Sequence, residues 1–315
     1  MNKMWQCVGF GLCAFDYLAI VEKYPALNQK TDCIAYSQQG GGPVATALAT
    51  LGRLGMGKIA FVGKVGDDIE GRFIRRALEQ DGVDTRFVKV VADTPSAQAF
   101  VWIEKDSGKR SVVLQRDERL FFSTGEIQFE PFVHAAFLLI DGRDPDAALK
   151  SAKLAKKANA KVVMDAGSLR PKMKQFFRFV DYFICSKDFL HDFSDGNSMD
   201  DTMRHIHRMG CDRVVATLGD EGSIGFDGKQ FWHEPAFPVK VVDTTGAGDV
   251  YHGAFVYGLL KKWQLPQIMK FANATAALKC SQLGGREGIP RLEDVKLFLK
   301  SELEQNRNYS GMLIV

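Results

Sequence analysis

A chain of 315 residues, 46% of them hydrophobic and 25% charged, can bury one large core, and with no break in composition residues 1–315 are expected to form a single domain. The formal charge of +3 is small for this length, and Lys and Arg are scattered among Asp and Glu, which argues against a dedicated nucleic-acid binder. Met1–Gly11 lacks the pattern of a secretory leader, no run reaches the ~20 apolar residues that span a bilayer, and the six cysteines form no CxxC pair, so buried thiols, no membrane partner and a reducing cytoplasm are expected.

In chain order, short apolar runs alternate with stretches of helical spacing. Strands are predicted at Cys7–Phe10, Ile59–Gly63, Ala136–Asp141, Lys161–Asp165, Tyr182–Ser186 and Arg213–Leu218, and helices at Val44–Leu54, Ile69–Gln80, Pro145–Ala158 and Met199–Met209. This alternation is the signature of βαβ units feeding a mainly parallel sheet, so the fold class is α/β, a three-layer α/β/α sandwich. Two regions break the rhythm. Cys33–Gln38 is a short β-prone run, and Ser96–Glu104 and Arg110–Leu114 are β-prone runs joined by Lys105-Asp106-Ser107-Gly108-Lys109, a hairpin with a glycine in its turn. These strands, from about 12–38 and 95–115, are expected to form a small β-sheet lid over a substrate cleft; an edge extension of the main sheet is the plainer alternative.

The most informative segment is Val241-Val242-Asp243-Thr244-Thr245-Gly246-Ala247-Gly248-Asp249, which runs into the apolar helical pattern Val250–Leu260. Gly246–Gly248 should form the first turn of that helix, with unpaired backbone N–H groups at its positive end and no side chains to hold a phosphate away. Asp249 then lies beside those amides, placed to take the proton from a hydroxyl attacking a γ-phosphorus, and phosphoryl transfer needs little beyond such a base and such a cradle. Two capping carboxylates around a tight turn would be the bland reading, but the length of the string and the helix that follows speak against it.

Asp243–Asp249 resembles the C-terminal signature of the ribokinase-like (PfkB) carbohydrate kinases, and Gly41-Gly42-Pro43-Val44-Ala45-Thr46-Ala47 running on to Gly52–Gly55 resembles their N-terminal one. The resemblance extends over nearly the whole chain. Within the family, Gly40–Thr46, Asp141-Gly142-Arg143, Ala277–Cys280 and Gly284–Pro290 look most like sulfofructose kinase, and Ser186-Lys187-Asp188 looks like ketohexokinase. What this implies is an ATP-dependent carbohydrate kinase with Mg2+, a sugar acceptor of ketohexose or anionic type, and Gly246, Ala247, Gly248 and Asp249 as the catalytic group.

Asp16, just beyond the first strand, would accept sugar hydroxyls, a solvated loop Asp being the alternative, and Gly41 and Gly42 would let sugar oxygens approach the backbone where a helix begins. Thr46 stands where many members carry Asn. Lys30, Arg116 and Arg143 could together bind a sulfonate or phosphate on the sugar, although surface salt bridging explains each lone cation equally well. On the nucleotide side, the loop carrying Thr217, Gly219 and Gly222 could hold ribose or phosphate oxygens, an ordinary turn being the alternative, and the resemblance puts Asn273 near adenine, with a cap or surface amide as the other reading. Ser186-Lys187-Asp188-Phe189 replaces the Asn-x-x-Glu that helps many members organise magnesium, so the ion is expected to rest chiefly on phosphate oxygens and waters, with Lys187 adding charge nearby. Asp243, Thr245 and the Ser281–Ile289 loop resemble the family's monovalent-cation site, which implies K+. The six histidines show no ligand spacing and are expected in solvated or packed roles. Exposed lid strands favour a homodimer. A nucleoside kinase of the same fold and a catalytically silent sugar sensor are the rival readings. A Rossmann dehydrogenase is a poor fit, since Gly9-Phe10-Gly11 runs into Leu12, Cys13 and Ala14.

Overall fold

The computed structural model describes residues 4–312, with side chains to residue 304; Met1–Lys3, where the leader reading begins, and the last three residues of the single-domain reading lie outside them. Nine strands form the main sheet in the order β13-β12-β11-β10-β9-β8-β1-β4-β5. They are β1 (Trp5–Phe10), β4 (Ile59–Gly66), β5 (Val83–Val91), β8 (Ala135–Ile140), β9 (Lys161–Ala166), β10 (Tyr182–Ser186), β11 (Arg213–Thr217), β12 (Ser223–Phe226) and β13 (Phe231–Glu234). All neighbouring pairs are parallel except those of β12, which turns back on β11 and carries β13.

The central strands are apolar throughout because both faces are covered, and strict alternation deals their residues to two cores. Val8, Phe10, Leu138, Ile140, Val162, Met164, Phe183, Cys185, Val214 and Ala216 enter one core; Cys7, Leu139, Val163, Ile184 and Val215 enter the other. The first core is capped by α3 (Glu130–Val133), α4 (Pro145–Lys157), α5 (Lys187–Phe193) and α6 (Met199–Arg208). The second is capped by α1 (Pro43–Arg53), α2 (Ile69–Gln80), α7 (Ala247–Leu260), α8 (Leu265–Cys280) and α9 (Leu292–Met312). Cap chemistry sets several of these ends: Asp68 accepts from the Gly71 N–H at the start of α2, and Ser198 accepts from Asp201 at the start of α6.

The remaining strands, β2 (Ala14–Val21), β3 (Cys33–Gly41), β6 (Gln98–Glu104) and β7 (Arg110–Gln115), make a separate four-stranded sheet in the order β3-β2-β6-β7. It is not an edge extension of the main sheet. Its inner face packs Leu18, Ala99, Val101 and Ile103; its outer face leaves Phe100, Trp102 and Tyr36 exposed. Among the described residues no helix is long and apolar enough to cross a membrane.

Candidate active site

The sheet's parallel strands all end on one side, where the chain must leave the layers, and that crevice is where α/β folds gather ligand-binding groups. A cleft of about 840 Å3 opens there, lined by Thr217, Gly219, Gly222, Lys187 and Asn273 on one wall and by Ala247, Gly248 and Asp249 on another. The structure thus brings together eight of the residues singled out in the sequence. It also adds Asp165, His252 and Arg110 to the lining.

Gly246 is the cap of α7 rather than part of its first turn. It sits in the left-handed region at φ 73°, and a Cβ there would lie 2.9 Å from Gly285 Cα, so only glycine fits. The Ala247 N–H closes a turn onto the Thr244 carbonyl at 3.2 Å, which removes one amide from the expected cradle. Those of Gly248 and Asp249 remain at the positive end of a long buried helix. Asp249 is half-buried beside them. Desolvation raises its carboxyl above the ordinary range, while the charges of His252, Arg110, Arg143 and Arg286 pull it back.

Asp165, at the end of β9, lines the same cleft and feels the Asp249 charge. Burial pushes its carboxyl up to about 6, with His252 opposing the rise and Asp249 adding to it. Its Oδ1 lies 3.6 Å from His252 Nε2, and its Oδ2 is buried with no partner. The same histidine meets the Gly248 carbonyl through Nδ1 at 2.6 Å. His252 is therefore no ordinary packed histidine: it links the glycine turn to the neighbouring carboxylate. Arg143 is partly exposed and its charge lowers both carboxyls, and Arg170, missed in the sequence, feels Arg143, Asp141 and Asp165 together.

Asp16 is not on a loop beyond β1 but on β2, the small sheet's own strand. It faces Gly41, where a Cβ would collide with both carboxylate oxygens. Burial raises its carboxyl to about 7, Arg286 lowers it, and the charges of Asp249 and Asp243 raise it further. Arg286 is the main residue that the sequence reading overlooked. It is 3% exposed, donates from Nη2 to the Gly41 carbonyl at 3.0 Å and from its backbone N–H to Gln39 Oε1 at 2.7 Å, and leaves Nη1 buried without a partner.

Three expected sugar contacts are placed otherwise. Thr46 lies inside α1, 1% exposed, with its hydroxyl 3.5 Å from Arg286 Nε, so it supports the arginine from below. Arg116 forms a bidentate pair with buried Asp144 at 2.7 and 2.9 Å, gives a further bond to the Leu120 carbonyl, and lies 3.9 Å over the Phe121 ring. Its planar fork is committed to holding the segment before α3, which leaves little for a ligand. Lys30 is exposed on the loop between β2 and β3. Gly42, at φ 95°, caps α1 next to Gly41.

On the wall carrying Thr217 and Asn273, Lys187 is ion-paired with Glu221 at the rim, and the Thr217 hydroxyl donates to the Cys185 carbonyl at 3.4 Å. The Asn273 side-chain amide donates to the carbonyls of Glu234 and Pro235 at 2.9 and 3.1 Å, so it fixes the shape of the wall with groups expected to face adenine. Ser186, in the place of a metal-organising Asn, caps α5 by accepting from the Phe189 N–H at 3.0 Å. Behind the glycine turn, Asp243 is wholly buried and its carboxylate accepts from the N–H groups of Thr245 at 2.7 Å and Gly284 at 2.8 Å. The six cysteines are all unpaired; five are buried and Cys33 is exposed.

Known proteins share this architecture along almost the full length. The chain is 28% identical over 324 residues to 5-dehydro-2-deoxygluconokinase of Bacillus subtilis, covering 96% of this chain and 98% of that one. It is 29% identical over 289 residues to aminoimidazole riboside kinase of Salmonella typhimurium, covering 85% and 90%. The structure of Arabidopsis thaliana ribokinase complexed with ribose and ATP superposes with a TM-score of 0.80 at 25% identity, covering 95% of this chain and 99% of that one. The family model for pfkB carbohydrate kinases matches residues 4–292, and with its ribokinase-like α/β fold and its kinase relatives the chain belongs to that family of phosphotransferases.

Proposed function

We propose that this protein is an ATP-dependent kinase that phosphorylates a hydroxyl of a ketohexose or of an anionic derivative such as sulfofructose. The observation that carries the reading is Asp249: a carboxylate raised by burial, at the first turn of α7, lining a cleft of about 840 Å3 and close enough to Asp16 to raise its carboxyl. In this reading ATP lies along the Thr217–Gly222 and Asn273 wall with its γ-phosphoryl at the Gly248 and Asp249 amides. The sugar is held by Asp16, Gly41 and Gly42, and Asp249 takes the hydroxyl proton as the oxygen attacks in line. Arg143, with no ion pair to its guanidinium among the described residues, supplies the anion selectivity; Arg116 contributes only through the pocket wall.

Magnesium fits the donor set. Asp165 offers a buried carboxylate oxygen with no partner, a hard ligand of the kind that holds this ion directly or through water. Bound there with the phosphates, the ion would neutralise charge on the transferring group. The small sheet acts as the lid that excludes water from the reaction, and its exposed apolar face as the surface of a homodimer. Free, mostly buried thiols suit a reducing cytoplasm.

A coupled assay of ADP release across fructose, sulfofructose, sugar phosphates and nucleosides tests the acceptor. Turnover confined to nucleosides would replace this reading with its rival, a nucleoside kinase, which the likeness to a riboside kinase favours. No ADP release with any acceptor would leave the silent sensor.

A further inference from the structure

Lys279, in the last turn of α8, is 0% exposed, and a lysine so deeply buried requires a compensating partner. It has one behind the glycine turn. Its Nζ donates to the main-chain carbonyl of Asp243 at 2.6 Å and stands 3.9 Å from Asp243 Oδ2. Burial pushes this ammonium below the ordinary lysine range, and the Asp243 charge, the largest of the opposing influences, pulls it back up; Asp249 is close enough to add to that pull.

These are the atoms that a monovalent ion would need. The Asp243 carbonyl accepts from the ammonium, and its carboxylate oxygens accept from Thr245 and Gly284. Among the described residues that the resemblance offers to potassium, only Thr245 keeps a buried side-chain oxygen without a partner, too little to replace the water around an ion. A second cation beside a buried ammonium would also meet unscreened repulsion. The residues present therefore do not fit K+.

We propose that the Lys279 ammonium is a built-in monovalent cation, which fixes the turn from Asp243 to Gly246 and so positions the phosphate cradle without potassium. The idea rests on the kinase reading for its catalytic consequence, but not for its structural one. Lys279 is a positioning residue: it touches neither sugar nor nucleotide, and acts through the backbone that leads into α7.

The test compares the full chain in chlorides of potassium, ammonium and tetramethylammonium at equal ionic strength, by thermal melting without substrate and by ADP release with fructose and sulfofructose. The wild type should behave alike in all three salts. Lys279→Ala should lose roughly 10²-fold in kcat in tetramethylammonium, and regain at least about tenfold in potassium or ammonium, with a melting midpoint that rises with potassium only in the variant. Lys279→Met, which keeps the stem but not the charge, should fold and stay slow in every salt. Strong potassium stimulation of the wild type, a Lys279→Met enzyme with normal kcat, or a loss in folded Lys279→Ala that no small cation repairs would overturn the proposal. If Lys279→Ala fails to fold, the wild-type and Met results decide. The melting comparison needs no acceptor, so a mistaken sugar would not be confused with a mistaken cation.

Discussion

Thr244 gives both its main-chain N–H, at 3.1 Å, and its hydroxyl, at 2.9 Å, to the carbonyl of Gly108. The tip of the β6–β7 hairpin is thereby fastened to the glycine turn, and Arg110 from the same hairpin reaches the Thr244 hydroxyl at 3.2 Å. Thr244→Val removes the side-chain half of this latch and keeps the shape. The expected result is a rise in ATP hydrolysis without acceptor and a loss of about 3–10-fold in kcat/KM, as for one exposed-to-buried hydrogen bond. Steady-state ADP release with and without sugar measures both; unchanged coupling would free the hairpin of this role.

Asp249→Asn should fold and bind ATP normally while kcat falls by about two to four orders of magnitude, the size of a general-base effect. Calorimetric ATP binding beside turnover separates the two. A folded variant with normal kcat would remove the base assignment.

The carboxyl of Asp16, raised by burial to about 7, links stability to pH with a definite sign. Between its ordinary value and about 7 the folded chain holds a proton that the unfolded chain has shed. Stability therefore falls as pH rises through that window and levels off above it, with a contribution on the order of 2–4 kcal/mol. Asp165, at about 6, adds to the same slope. In ligand-free protein the melting midpoint should drop from pH 5 to pH 8, and Asp16→Asn should flatten the curve while weakening sugar binding. A midpoint that climbs over this range would contradict the burial assigned to both groups.

Arg143→Ala should raise KM for an anionic acceptor by about 10–100-fold, the value of a charge-assisted bidentate contact, and leave KM for neutral fructose within about threefold. Equal effects on both sugars would make Arg143 a general structural support.

The outer face of the small sheet exposes Tyr36 (55%), Trp102 (44%) and Val113 (53%). A contiguous apolar face on a sheet with free edges calls for cover. Trp102→Glu should halve the mass seen by light scattering if that cover is a second copy of the chain. A wild type that is already monomeric would refute it.

The sequence and the structure agree most closely where one-dimensional pattern decides three-dimensional place. The apolar runs of β1, β8, β9, β10 and β11 need both faces covered, and the glycine turn before α7 can have few conformations. β5 and β13, the two edge strands, and the short β12 beside β13 have more polar, less regular patterns, and the periodicity does not predict them. Among site residues, spacing could not distinguish a cation in use from a free one. Arg116 and Arg143 look alike in sequence, yet Asp144 consumes the first and no ion pair among the described residues holds the second. Arg286 and Lys279 each stand in a segment quoted for its resemblance, but their partners, Gly41 and Asp243, are distant in the chain. Asp165 and His252 acquire meaning only when β9 and α7 meet.

Asp249 and the Asn273 wall belong to α7 and α8, which pack against each other, while the backbone N–H groups of Val242 and Asp243 both bond to the Cys280 carbonyl. Asp249, the glycine turn and the Asn273 wall thus travel as one piece. Under the proposed kinase reading, any approach of the acceptor falls to the sheet bearing Asp16, and its travel is limited by the Thr244–Gly108 and Arg286–Gly41 bonds that tether that sheet to this piece.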